Sequence, residues 1–260
     1  MNTTLRQERD YLFSGLSFYT RIPCPSAVEY RPENLNKSRK YLALIGLVVG
    51  LFAAIIYLLS ALIFPIAVSV LLSMGATIYL TGAFHEDGFA DSCDGFGGGW
   101  EKAQILSIMK DSRVGTYGVV GLILVVGLKF LVLQSLAERS TELVVLALLC
   151  GHSVSRLMAS WLMQKYDYVS AVETSKSSNV ASVRLSRNEM LASTIPAALI
   201  VLFAWQVNFL VAVAIVWIMT FLLGRYFQKK IGGYTGDCLG AVQQVCEVLF
   251  YLVIVAEFSY

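Results

Sequence analysis

YLALIGLVVGLFAAIIYLLSALIF, residues Tyr41–Phe64, runs for 24 residues without a charged side chain. A bilayer core takes about 20 mostly apolar residues as one helix. Inside it every backbone N–H and C=O must be bonded within the segment, which a helix does by itself. The stretch therefore reads as a transmembrane helix. Pro65 follows, and Ile66–Phe84 begins a second apolar run at once. Five more qualify: Val114–Leu136, Leu143–Met163, Leu191–Val207, Phe209–Phe227 and Leu239–Ala256. The whole chain agrees, with 57% hydrophobic and 15% charged residues against about 45–50% and 25% in soluble domains. The prediction is an all-α, polytopic membrane helical bundle of about seven transmembrane helices, with residues 1–260 as one integral-membrane domain. A soluble two-domain enzyme, a disordered chain and a disulfide-stapled scaffold are excluded.

The breaks carry information. Pro65 and Gln206-Val-Asn208 are too short to hold anything but tight turns, so the first and second spans, and the fifth and sixth, should form hairpins. The fifth span is the shortest and contains Pro196. Lys and Arg collect on the cytoplasmic side of membrane proteins. With the N-terminus inside and the C-terminus outside, every basic residue except Arg139, Lys129 and Arg156 falls on the inner side. Three polar segments then face the cytoplasm: 85–113, 164–190 (with Lys176) and 228–240. That reducing side suits five cysteines without a C-x-x-C pair. A formal charge of +2 is too small for a nucleic-acid binder. No cleaved signal is read at the N-terminus; residues 1–21 should lie on the inner leaflet or enter it as a re-entrant piece, with Leu12, Phe13, Leu16 and Tyr19 on one face. Gly46-x-x-x-Gly50 permits close helix approach and decides nothing about oligomers.

The chemistry concentrates in His85-Glu-Asp-Gly-Phe-Ala-Asp-Ser-Cys-Asp-Gly-Phe-Gly-Gly-Gly99. On a helix Asp87, Asp91 and Asp94 stand at i, i+4 and i+7 and share a face. Bare, they repel one another and are poorly hydrated near lipid. A hard divalent cation resolves both problems, and Mg²⁺ shares its oxygen shell with substrate phosphates. The bland alternative is a solvated acidic loop. His85 is a candidate base, ligand or orienting donor, or simply a helix-end histidine.

Two further segments follow. Trp100–Ser112 carries an apolar stripe (Ile105, Leu106, Ile108, Met109) suited to a surface helix. It leads into Lys110 and Arg113, phosphate-binding candidates by charge and, for Arg113, by fork geometry, or else plain positive-inside anchors. Gly115-Thr116 opens the third span, where backbone N–H groups can receive an anion. In Ile231-Gly-Gly-Tyr-Thr-Gly-Asp-Cys-Leu-Gly-Ala241, Asp237 is a candidate for a metal, ribose or base contact, or a plain helix cap. Thr235 and Asp237 reach the acidic segment only if the last span packs on the second. Arg156 lies within the fourth span and should face the bundle and meet a carboxylate or phosphate. His152 is read as a bundle histidine, and Lys129 and Glu247 as a pair or as snorkelling charges.

Phe84-His-x-Asp-Gly-x-Ala-Asp-x-x-Asp-Gly95, Ile108-Met-Lys-Asp-Ser-Arg-x-Gly-Thr-Tyr-Gly118 and Gly232-Gly-x-Thr-Gly-Asp-x-Leu-Gly-Ala241, with Phe18-Tyr-Thr-Arg-Ile-Pro23 before them, resemble the cobalamin synthase family over nearly the whole chain. The resemblance implies an adenosylcobinamide-GDP ribazoletransferase of the bacterial cytoplasmic membrane, with its active site facing the cytoplasm. Adenosylcobinamide-GDP and α-ribazole (or its 5′-phosphate) would give adenosylcobalamin (or its 5′-phosphate) and GMP. The family needs Mg²⁺, expected on Asp87, Asp91 and Asp94. Glu86 stands at a variable position of the pattern and is set aside. His85 and the three aspartates, with Lys110 and Arg113, are expected to be catalytic. Asp111, Gly115, Thr116, Arg156, Thr235 and Asp237 are expected to bind substrate. The expected partners are these two small molecules and membrane lipid, with no nucleic acid; a homo-oligomer stays open.

Three other readings compete. A CDP-alcohol phosphotransferase-like lipid enzyme should carry an Ala-Arg pair after its second Asp-Gly, which is missing after Asp94-Gly95. A secondary transporter places its acids near the midplane on broken helices, whereas these sit at the membrane edge. A prenyltransferase normally needs two Asp-rich clusters.

Overall fold

The computed structural model describes residues 3–28, 31–169 and 184–256. Residues 170–183 of the 164–190 polar segment, and with them Lys176, lie outside the described residues. The helices are α1 (Thr3–Tyr19), α2 (Pro32–Ser38), α3 (Leu42–Ala61), α4 (Ile66–Thr81), α5 (Phe84–Gly98), α6 (Lys102–Ile108), α7 (Thr116–Arg139), α8 (Thr141–Lys165), α9 (Arg187–Ala204), α10 (Val207–Ile231) and α11 (Gly236–Val255), with a 3₁₀ turn at Arg39–Tyr41. Among the described residues there is no strand; Tyr168 and Tyr234 form a lone parallel bridge.

Each apolar run becomes a helix because no other conformation bonds its backbone internally. Six helical segments are long and apolar enough to cross a membrane: Glu33–Ala61, α7, α8, α9, α10 and α11. A seventh counts only if α4 and α5 are one broken span, since they meet at 87°. The second expected span thus stops short of Phe84. Gly82 (φ 65°) and Ala83 (φ 56°) both take the left-handed conformation, which ends α4 and swings the chain aside. For alanine that conformation is costly, and such strain gathers at functional sites. At 16 residues, α4 reaches about 24 Å, less than the roughly 30 Å of a bilayer core.

The turns follow local chemistry. Pro65 is the N-cap of α4, and Ser140 ends α7 and caps α8, its hydroxyl accepting from Leu143 N–H (3.3 Å). Ser186 and Glu189 form a reciprocal capping box at α9. Pro196 sits inside α9 without ending it. Trp205, at φ 48°, turns the chain into α10.

Helices α8 and α11 are buried along most of their length, while α7, α9 and α10 are buried along little of theirs. The first two form the centre, and the others present Leu, Ile and Val outward to lipid. The Gly46/Gly50 pair is used within the chain. A Cβ at Gly46 would stand 2.2 Å from the His152 carbonyl oxygen, and one at Gly50 2.7 Å from that of Leu148. Only glycine lets α3 lie this close to α8.

Helix α1 is amphipathic and packs on α2 and α3. Arg21, just beyond it, donates its N–H to the Leu80 carbonyl (2.7 Å) and stacks on the Tyr79 ring (4.8 Å). The N-terminal segment is thereby fastened to the chain just before the α4–α5 bend.

Candidate active site

The site is built where α5, turned out of line with α4, meets the first turn of α11. Close approach requires two glycines. A Cβ at Gly88 would lie 3.0 Å from the Asp237 Cα, and one at Gly240 2.9 Å from the His85 carbonyl oxygen. This contact puts Asp237 on the acidic side of α5. The last span thus packs against α5, the helix that carries the acids.

Asp91 is the electrostatic centre of the group. Burial, then the nearby carboxylates of Asp237 and Asp87, push its pKa up to about 7, Lys110 opposing and Asp94 adding a smaller push. Lys110 Nζ stands 3.9 Å from Asp237 Oδ2, and Thr235 Oγ1 donates to the same oxygen (3.3 Å). Thr235 also caps α11, accepting from Cys238 N–H (3.2 Å). Asp87, Asp91, Asp237, Thr235 and Lys110 therefore share one neighbourhood. Among the described residues no three His, Cys, Asp or Glu side chains are already drawn into a metal cage. Asp87, Asp91, Asp237 and Thr235 nonetheless fit a hard cation: each offers oxygen, and the like-charged carboxylates are held together at a cost that a cation removes.

Asp94 is used differently. Its Oδ2 accepts from Gly115 N–H (2.7 Å) and its Oδ1 from Gly118 N–H (2.8 Å), and the side chain is buried. It caps α7 from another helix, where a carboxylate meets the positive end of the helix dipole. The Gly115 N–H expected to receive a substrate anion is occupied by this protein carboxylate. Thr116 begins α7 directly after it.

Arg113 points into solvent and is chelated by Asp111 (Nε–Oδ1 3.0 Å, Nη2–Oδ2 2.7 Å). This pairing holds the Asp111 carboxyl down at about 2. Asp111 and Arg113 thus form a pair of their own on the surface.

His85 and Arg156 meet on another side of α5. Both are buried and line a cavity of about 40 Å³ with Phe18, Tyr19, Phe84 and Gln243. Burial, then the Arg156 charge, press the His85 pKa well down, so its imidazole is neutral. Arg156 Nη1 donates to the His152 carbonyl oxygen (3.1 Å), while its Nε has no partner among the described residues.

One cluster settles the choice between pairing and snorkelling for Lys129 and Glu247, and adds His152 and Arg156 to the pair. Glu247 of α11, fully buried, pairs with Lys129 of α7. Its Oε2 lies 3.1 Å from His152 Nδ1 and 3.9 Å from Arg156 Nη1 of α8, and Tyr251 donates to Oε1 (3.3 Å). Gln243 donates to it from one turn before. Glu86, set aside as a ligand, accepts from Gln244 (2.9 Å). The available signal was charge parity: lone opposite charges in two apolar spans must meet.

A family model described as cobalamin-5-phosphate synthase matches residues 11–255 of this chain. The chain belongs to the cobalamin-5-phosphate synthase family. Its relatives include proteins named adenosylcobinamide-GDP ribazoletransferase. That of Shewanella frigidimarina is 44% identical over 250 residues, covering 96% of this chain and 95% of its own. That of Shewanella amazonensis is 42% identical over 258 residues, 99% of each chain. That of Vibrio cholerae is 39% identical over 257 residues, 98% of this chain and 97% of its own. No solved structure matches. As a cobalamin-5-phosphate synthase family member, this chain is a transferase of cobalamin synthesis that acts on small molecules.

Proposed function

We propose that the chain joins adenosylcobinamide-GDP to α-ribazole or its 5′-phosphate, releasing GMP, at the cytoplasmic face of a bacterial inner membrane. The Lys and Arg asymmetry of the loops supports that orientation. The observation that carries the reaction is the meeting of Asp87 and Asp91 with Asp237, beside Lys110. Transfer from a diphosphate is mainly positioning and charge stabilisation. The acceptor hydroxyl oxygen bonds the phosphorus on the cobinamide side. The bond from that phosphorus to the bridging oxygen breaks, and the bridging oxygen leaves with GMP.

The residues divide the work. A carboxylate of the acidic cluster takes the hydroxyl proton; His85 faces the Arg156 cavity instead. Lys110 offsets charge on the leaving phosphate. Asp87, Asp91 and Asp237 would hold Mg²⁺, which when bound supplies Lewis-acid stabilisation of phosphoryl oxygens. Asp94 positions α5 against α7.

The test is GMP release by proteoliposomes given adenosylcobinamide-GDP, with and without α-ribazole. Release should require the acceptor, and Asp91→Asn and Asp237→Asn should each lower the rate by at least about 10². Near-wild-type rates at normal membrane levels, or equal release without acceptor, contradict the proposal.

A further inference from the structure

Away from the catalytic segment, α8 and α10 diverge and leave a groove of about 310 Å³, walled by Trp161, Lys165, Tyr166, Trp217, Thr220 and Phe221. Its residues repeat every four positions, the spacing of one helix face. Trp161 and Lys165 stand on α8; Trp217, Phe221 and Arg225 stand on α10. Trp161 and Trp217 remain 38% and 52% exposed although both helices are long and apolar enough to span a membrane.

Two cations mark one end of this groove. Lys165 Nζ lies 4.5 Å from the centroid of the Phe221 ring, and the Arg225 guanidinium 5.7 Å from the same centroid. Both charges converge on one aromatic floor. Neither has a carboxylate at ion-pair distance among the described residues. The acid nearest Lys165 in sequence, Asp167, is bonded to Arg184 (2.8 Å). Trp217 lies two turns below Arg225, so the groove runs from charged to apolar along α10. The bridge between Tyr168 and Tyr234 puts the charged end on the active-site side of the bundle.

The geometry points to a binding site for one anionic glycerophospholipid, its phosphate between Lys165 and Arg225 and one acyl chain beside Trp217 in the groove. The charge selects the head group, because a zwitterionic lipid brings its own cation against two already present. The apolar walls select a tethered chain, because a free phosphate would leave them bare. This site is separate from the reaction proposed above, and its test needs no substrate.

The detergent-solubilised full chain would be exposed to an equimolar mixture of phosphatidylglycerol and phosphatidylcholine and weighed intact by native mass spectrometry. The wild-type protein should retain phosphatidylglycerol in several-fold excess, a result that depends on no variant. Lys165→Gln/Arg225→Gln should lower that retention about tenfold or more. The charge-matched pair Arg6→Gln/Arg187→Gln, away from the groove, should leave it unchanged, and inorganic phosphate should displace no more of it than acetate at equal ionic strength, since screening acts on both alike. Equal retention of the two lipids by the wild type overturns the proposal. So does undiminished phosphatidylglycerol on the Lys165/Arg225 variant, equal loss from the control pair, or displacement by phosphate beyond that by acetate of equal ionic strength.

Discussion

Asp94 shows how much a single residue's surroundings decide. By spacing alone it is equivalent to Asp87 and Asp91, and sequence assigns all three one role. In the fold both of its oxygens accept backbone N–H groups of α7, while Asp91 faces Asp87 and Asp237. Helical period gives the face a side chain shares, but not which helix comes to meet it. Asp94→Ala should therefore destabilise the protein by about 1–2 kcal/mol, the usual loss of a cap. Thermal unfolding in detergent measures this. A Asp94→Ala protein as stable as wild type would show that the contact does not hold α7. Arg113 illustrates the same limit: its fork geometry is legible in the sequence, but that the neighbouring Asp111 occupies the fork is not.

At the scale of elements, the apolar runs announced the helices well, because a lipid-embedded backbone has one way to satisfy itself. Boundaries depended on turn chemistry: Pro65 and Gly82, the left-handed cap that ends α4, are signals the sequence shows, whereas the left-handed Ala83 that starts α5 and sets the bend is not, since alanine carries no signal for that conformation. Partner choice between helices was legible for Lys129 and Glu247, two lone opposite charges in apolar spans, but not for His152 and Arg156 as further partners. Glu247 lies on the face of α11 that meets both Lys129 of α7 and His152 and Arg156 of α8, so one carboxylate ties three helices. Glu247→Ala strands those buried cations and should cost about 3–5 kcal/mol. Glu247→Leu combined with Lys129→Met should cost less than the two single changes added together. Unfolding free energies in mixed micelles give the comparison. Strict additivity would mean that the pair is not coupled.

For the molecule as a whole, a bundle with α8 and α11 at its centre carries an acidic rim where α5 turns aside and meets the start of α11. Family membership was legible because three ordered motifs survive in sequence. Their convergence was not, because residues 87, 110 and 237 are joined only by packing. The central claim is that this rim, through Asp87, Asp91 and Asp237, binds a divalent cation. The most direct measurement is Mn²⁺ binding to nanodisc-embedded protein, followed by electron paramagnetic resonance in the presence of adenosylcobinamide-GDP. The pH dependence has a fixed sign. Asp91 holds a proton up to about pH 7, and a cation needs that carboxylate ionised. Affinity should therefore fall as pH drops below 7, by up to about tenfold per unit, and level off above it. Asp237→Asn should weaken binding at every pH. Binding that is absent at pH 8, or unchanged in Asp237→Asn and flat between pH 6 and 8, would contradict the account.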